Sequence, residues 1–447
     1  MDMKLWQKDT PLDRKIEDFT VGNDPLYDLE LAEFDVFVNL AHARMLTEVG
    51  LLDGEEGKRL KQALVQIHAS IKAGKFLIEP GIEDVHSQLE KLLTEATGEA
   101  GKKIHTARSR NDQVLADLKL YFRERLAGMG DQVVALFRQS MQQAERYQHI
   151  FMPGYTHLQV AMPSSFGLWF SAYAENLIDD LQWIQQAFRL INQNPLGSAA
   201  GYGSSFPVNR KLTTELLGFE RLHINSIHAQ MQRGKSEMIG SMAIASLAHT
   251  LNKWAYDICL YNGQNFAFFN LPVSMTTGSS IMPHKKNPDV FELIRAKTNQ
   301  LITVPQQVLQ LIQNLPAGYH RDFQLLKEMI FPAFDTIQKV LDLMIYAVGA
   351  IEVNENLSED ERYRLAYSVD AVNQLVMQGM SFRDAYHQVG QAVRSGKFQK
   401  PEAMQTTHLG SVDHPGLNEI EAKMKEVQNE LNMHVPRAIM QSLLDSC

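Results

Sequence analysis

Residues 234–263 read GKSEMIGSMAIASLAHTLNKWAYDICLYNG. Met238, Ile239, Met242, Ile244, Leu247, Leu251, Trp254 and Ile258 recur at helical spacing but spread over more than one face, and a helix apolar nearly all round must be surrounded by other helices. Four further segments, 111–148, 163–193, 288–312 and 324–353, carry the same pattern. Five such helices predict the core of a long bundle. The apolar surplus of 234–263 exceeds what one monomeric bundle hides, which predicts helices shared between subunits. Its methionines read as core filler. Outside the five, the segments shorten. AEFDVFVNLAHARMLTEVG and EEGKRLKQALVQIHASIKAG lie in the first hundred residues, the second closed by Gly74 as a C-terminal stop. After Asn354 come SEDERYRLAYSVDAVNQLVMQG, MSFRDAYHQVGQAVRSG and a charged final helix from about Pro415. Alternating, strand-like runs are few. The expectation is an all-α chain of three domains: a first helical domain over 1–105, a central bundle over 106–354 and a small helical domain over 355–447.

The chain has 447 residues, too long for one compact core, with 45% hydrophobic and 21% charged residues and no low-complexity tract. A net charge of −9 argues against broad attraction to nucleic acid or anionic membrane. Any anion site must be local. Cys259 and Cys447 are the only cysteines, which fits a reducing compartment and excludes a disulfide framework or a cysteine-ligated zinc site. The N-terminus, MDMKLWQKDTPLDRK, carries charges where a signal peptide needs an apolar run, and no segment reaches membrane-spanning length. The expected compartment is the cytoplasm.

Chemistry concentrates in loops in front of the long helices. TGSSIMPHKKNP, Thr277 to Pro288, crowds serines, lysines and an asparagine between helix breakers. Asn287 suits a cap, Pro288 a first helical position and Asp289 a first turn, so the loop presents its side chains at a helix N-terminus, which favours a carboxylate or oxyanion. HTARSRNDQ, 105–113, sets Arg108, Ser109, Arg110, Asn111 and Asp112 at the mouth of the first long helix. Ser109 or Asn111 would serve as a cap, but two arginines point to bidentate carboxylate recognition. GYTHLQVAMP, 154–163, is a loop whose His157 is a candidate acid or base. GYHRDFQLLK, 318–327, brings Tyr319, Arg321, Gln324 and Lys327, the last two on one helical face. Glu83, Asp84 and His86 open another helix. NPLGSAAGYGSS, 194–205, lacks the context of a nucleotide-binding fingerprint and reads as a packed loop. No HExxH, Gly-x-Ser-x-Gly or EF-hand pattern occurs, so no metal is expected.

Together, TARSRNDQ, GYTHLQ and GSSIMPHKKNP resemble the argininosuccinate lyases, a branch of the fumarase/aspartase superfamily, and the resemblance covers essentially the whole chain, including SFRDAYHQVG near its end. The serine loop marks the superfamily, while KKNP, TARSRNDQ and GYTHLQ mark the branch. The resemblance implies a homotetramer with a twenty-helix core and active sites built from three subunits. It implies cofactor-free elimination of argininosuccinate to arginine and fumarate. Ser279 would take the Cβ proton, Lys285 would stabilise the aci-carboxylate, and His157, oriented by Glu292, would handle the proton of the leaving nitrogen; descriptions with acid and base reversed also exist. Ser109, Arg110, Asn111, Thr156, Asn287, Tyr319, Gln324 and Lys327 would bind substrate, and Asp84 and His86 match the family's EDVH segment. The chain departs from the pattern in two places. TVGND, 20–24, replaces a segment that often carries a substrate-contacting serine, and QRGKSE, 232–237, replaces a commoner acidic-arginine pattern. Two alternatives share the fold: a sibling lyase releasing fumarate from another adduct, and an inactive crystallin-like homologue, which would be expected to lose site residues.

Overall fold

The computed structural model describes residues 13–401 and 406–445; the KLW start and Cys447 lie outside them. Ala32–Glu48 and Gly54–Lys72 are the two amphipathic segments of the first hundred residues. The second begins on a capping box, in which Asp53 accepts the N–H of Glu56 at 2.8 Å and Glu56 accepts that of Asp53 at 3.2 Å. Gly74 follows at φ 66°, the left-handed stop that its position calls for. Five long helices follow, Arg110–Arg146, Phe166–Ile191, Lys235–Tyr261, Asp289–Ile312 and Leu326–Ala350. The 37 residues of the first make a rod of about 55 Å. It packs along the Phe166 and Leu326 helices, while the Lys235 helix lies against the Phe166 and Asp289 helices. Aromatic rings lock these contacts, with Tyr121 stacked on Phe331 at 4.2 Å and Tyr173 on Trp254 at 4.6 Å.

The burial of the Lys235 helix differs from the sequence expectation. Ile244, Leu247, Leu251, Trp254 and Ile258 are fully buried inside a single chain, and Met238, Ile239 and Met242 are half-buried. The neighbouring helices cover it on both flanks, so the five fully buried side chains need no second subunit. Of its own large side chains Tyr256 stays open, and the other long helices leave Trp183 and Leu190 on the Phe166 helix, Leu293 and Ile302 on the Asp289 helix, and Leu343 and Tyr346 on the Leu326 helix exposed.

Among the described residues, three short two-stranded sheets interrupt the helices. GYTHLQVAMP is not a loop but part of a hairpin, in which Phe151–Thr156 pairs antiparallel with Gln159–Ser165. Its turn is His157–Leu158, both at positive φ, 53° and 57°. Two-residue hairpins favour that conformation, but Asn-Gly usually fills it. Beyond Ile351 the chain divides by where its apolar residues go. Val372, Ala385, Val389 and Phe398 form a small separate core around Ser368–Met377 and Phe382–Arg394. The final charged segment is two helices, Leu417–Glu430 and Val435–Asp445, and their Ile420, Met424, Val427, Met440 and Leu443 join the main core.

The glycine-rich stretch is a packed loop, as read. Gly197 and Ala199 donate backbone N–H groups to Asp112 Oδ2 at 2.8 and 2.9 Å, while Asp112 Oδ1 accepts the N–H of Ser109 at 2.9 Å. Asp112 is fully buried. Asp112→Asn turns an amide NH₂ toward at least one of these donors, and the expected loss is roughly 2–4 kcal/mol, read as a lowered thermal midpoint. An unchanged midpoint would show that the loop is held by something else.

Candidate active site

A cleft of about 920 Å³ opens where three helix starts converge. Asp84, His86, Ser109, Arg110, Asn111, Tyr319, Gln324 and Lys327, singled out in the sequence from three separate stretches, all line it. Asp84 caps Val85–Thr97 and accepts the N–H of Ser87 at 2.7 Å. Burial works to raise its pKa, but His86, Arg110 and the Ser87 bonds outweigh that and hold it below the usual carboxylate range. Ser109 caps the Arg110 helix, accepting the N–H of Asn111 at 3.3 Å. The Arg110 guanidinium is aimed by Glu90 at 2.7 Å and Gln113 at 3.1 Å. On the opposite wall, Gln324 donates to the carbonyls of Thr20 and Val21 at 3.0 and 2.9 Å, and Arg321 to Thr20 and Glu83, both at 2.8 Å. Lys327 Nζ lies 2.5 Å from Asp24 and 2.5 Å from Asp28. Burial disfavours its charge, but the two carboxylates raise its pKa. Lys327 therefore stays an ammonium.

Below the cleft is a buried polar floor. His86 Nδ1 lies 3.2 Å from Asp35 and 3.5 Å from Asp117. Burial, with the facing charge of Asp35, pushes Asp117 well above the usual range, while on Asp35 burial is outweighed by His86 and Arg108. These three are the one group among the described residues whose ligand atoms, within 4.8 Å of one another, have the spacing to hold a metal ion. Asp35 and Asp117, facing each other beside His86, suit sharing one proton. Arg108 is buried and donates to Asn39 at 2.6 Å, so only Arg110 of the pair reaches the cleft. His105 also lines the cleft; burial, Arg110 and Arg108 push it down to about 4, so its ring is neutral at neutral pH.

Thr156, His157, Ser279, Lys285, Asn287 and Glu292 are not part of this cleft in the chain that forms it. Thr156 and His157 stand exposed at the hairpin tip. Thr277 and Asn287 clasp the serine loop at its base, each donating a backbone N–H to the other's carbonyl at 3.2 and 2.9 Å. Inside the loop, Ser279 Oγ accepts the N–H groups of Ile281 at 3.3 Å and Met282 at 3.1 Å. Lys285, in the same loop, and Glu292, in the first turn of the following helix, are exposed. Asn287 does not cap the following helix, as the sequence suggested. Pro288 holds that position, and the Asn287 amide donates to Thr277 Oγ1 at 3.5 Å and Gly278 O at 3.4 Å. The side chain holds the loop closed instead.

Several cleft residues carried no sequence signal. Glu90 sits in a helix interior and is recognisable only once Arg110 is beside it. Asp28 meets Lys327 across 299 residues of sequence, with Asp24 beside it. Arg233, within the departing segment 232–237, lines the cleft and pairs with Glu237 at 3.2 Å, while Arg233 also donates to Phe323 O at 2.8 Å.

A lyase family model matches residues 5–303. The argininosuccinate lyase of Bacteroides thetaiotaomicron is 52% identical over 97% of this chain and 97% of that protein. That of Thermotoga neapolitana is 39% identical over 88% of this chain and 98% of that protein. Among solved structures, EDDS lyase in complex with formate superposes with a TM-score of 0.74 at 22% identity, covering 98% of this chain and 93% of that one. The last likeness shows the shared fold.

Proposed function

The chain belongs to the argininosuccinate lyase family of the fumarase/aspartase superfamily, and from that premise we propose that it cleaves argininosuccinate to L-arginine and fumarate, a step of arginine biosynthesis, by acid–base elimination. The observation that carries this reading is the near full-length identity to argininosuccinate lyases, on a chain whose cleft pairs cationic donors with carboxylates. Argininosuccinate offers the matching groups, three carboxylates and a guanidinium. The direct test is fumarate release, followed by its ultraviolet absorbance, when purified protein meets argininosuccinate. No fumarate would overturn the reading.

In this mechanism Ser279 takes the Cβ proton of the succinyl half. Its oxygen already accepts two backbone N–H groups, the arrangement that stabilises an alkoxide. The electron pair moves into the neighbouring carboxylate, and Lys285 neutralises the resulting aci-carboxylate. The pair then returns to form the double bond as the C–N bond breaks, and His157 gives a proton to the departing guanidino nitrogen. Glu292 orients the imidazole and holds its charge. Arg110, Asn111, Ser109, Thr156 and Asn287 position the substrate's carboxylates, with Tyr319, Gln324 and Lys327 on the far wall and Asp84 and His86 supporting the floor. No cofactor enters.

The site is completed by assembly. His157 and the Ser279 loop do not line the cleft of their own chain, and among the described residues no ion pair joins His157 to Glu292. A homotetramer, with each site drawing loops from three subunits, accounts for this and for the open apolar side chains on the long helices. No helix of the described residues is long and apolar enough to cross a membrane, and the proposed compartment is the cytoplasm. The proposed domains remain 1–105, 106–354 and 355–447, with the last two helices folding back on the body.

Glu292→Gln tests the division of labour. A carboxylate beside a protonated acid helps it keep its proton, so the mutant's kcat/KM profile should lose activity at lower pH on its alkaline limb. If the acid limb moves instead, His157 is the base and the roles reverse.

A further inference from the structure

The segment Thr20–Asp28 occupies three donors of the cleft. Its Thr20 and Val21 carbonyls take Arg321 and Gln324, and its Asp24 and Asp28 take Lys327. The two aspartates are not equivalent. Asp28 is 1% exposed and also accepts the N–H of Val85 at 3.1 Å, so it is fixed. The Asp24 side chain is 16% exposed and lines the cleft, and Lys327 is its one ion-pair partner among the described residues. Lys327 with two ionised carboxylates leaves this wall one negative charge in excess. A lone carboxylate entering here meets that excess. A group that brings an ammonium beside its carboxylate does not, because the ammonium can take Asp24 while the carboxylate takes Lys327.

We propose that Asp24 is a specificity-determining residue: with Lys327 it forms a receptor for the zwitterionic head group of an α-amino acid, and selects the arginine half of the substrate by its α-ammonium. The inference rests on the proposed lyase function, since only the arginine half of argininosuccinate carries that head group. Asp28 keeps Lys327 charged and in place when Asp24 turns to the ligand. The pKa of Asp24 is raised to about 6: burial and the neighbouring Asp28 push it up, while Lys327 and Arg233 pull it down. These are the charged groups facing it, from the Leu326 helix, its own segment and the turn before the Lys235 helix. Below pH 6 Asp24 gains a proton and loses its hold on an ammonium.

The test is calorimetric binding of L-arginine and of 5-guanidinopentanoate, which is arginine without its α-amino group, to the full-length protein. At pH 7.5 the wild type is expected to prefer arginine by roughly 30-fold, the size of one charge-assisted bond. Asp24→Asn should bring the two ligands within about threefold of each other. In the wild type, lowering the pH from 7.5 to 5.5 should reduce the preference about fourfold, following the fraction of Asp24 left ionised. An Asp24→Asn protein that melts like the wild type and keeps the full preference overturns the proposal. Should that variant fail to fold, a wild-type preference unchanged between the two pH values overturns it equally. If the wild type binds arginine but not selectively, only this inference falls; if it neither binds arginine nor cleaves argininosuccinate, the proposed function falls with it.

Discussion

Ser279→Ala is expected to lower turnover of argininosuccinate by at least about 10³-fold, the combined loss of a positioned base and of the oxygen on which the N–H groups of Ile281 and Met282 converge. A serine hydroxyl is a poor base in water. It becomes usable only where its anion is stabilised, and the loop supplies two amide donors and, in Lys285, a cation of the same loop. The same mutation should barely touch stability. Ser279 sits half-buried in a loop whose closure depends on the Thr277–Asn287 clasp and not on the hydroxyl, so the cost is about 1 kcal/mol or less. Fumarate production, circular dichroism and sedimentation on one preparation separate the two effects. A mutant that keeps more than about a tenth of wild-type turnover would remove Ser279 from the chemistry.

What could be read from the sequence was local. Gly74 and Ser109 announce helix ends through contacts within a few residues, so those boundaries followed from the chain itself. The five long helices followed from periodicity for the same reason. Burial did not. Trp254 looked like a residue in need of a second subunit, because nothing in 234–263 reveals that the Phe166 and Asp289 helices enclose it within one chain. The His157–Leu158 turn was hidden because it lacks the glycine and asparagine that normally fill two consecutive left-handed positions. Asn287 had the right type and place for a cap, but Pro288 took the position and freed its amide to close the loop. The cleft shows the same division. Arg110, Gln324 and Lys327 were identifiable as donors, but what holds them was not, since Glu90, Thr20 and Asp24 reach them only through tertiary structure. The Asp24–Lys327 contact joins residues 24 and 327, and no spacing rule covers that distance.

The separation of His157 and Ser279 from the cleft leads to a result that a self-contained site could not give. Each single mutant, His157→Asn or Ser279→Ala, should be nearly inactive alone. When the two inactive proteins are dissociated together and reassociated at equal concentration, activity should return. If a site takes His157 from one chain and Ser279 from another, it is intact when the first chain is the serine mutant and the second the histidine mutant. Random assortment gives both conditions in one site out of four, so about a quarter of wild-type activity is expected. The structure motivates the different-chain case in two ways. Both loops are exposed and away from the cleft of their own chain, and the long helices leave Leu293, Leu343 and Tyr346 open for contact with another copy. If both residues came from one chain, every site in the mixture would lack one of them and activity would stay near zero. Recovery therefore has to rise with the fraction of mixed tetramers, peak at equal proportions and vanish at either extreme. Activity that fails to return, although sedimentation shows the mixed assemblies formed, would place His157 and Ser279 in one site from one subunit and rule out this division of the active site between chains.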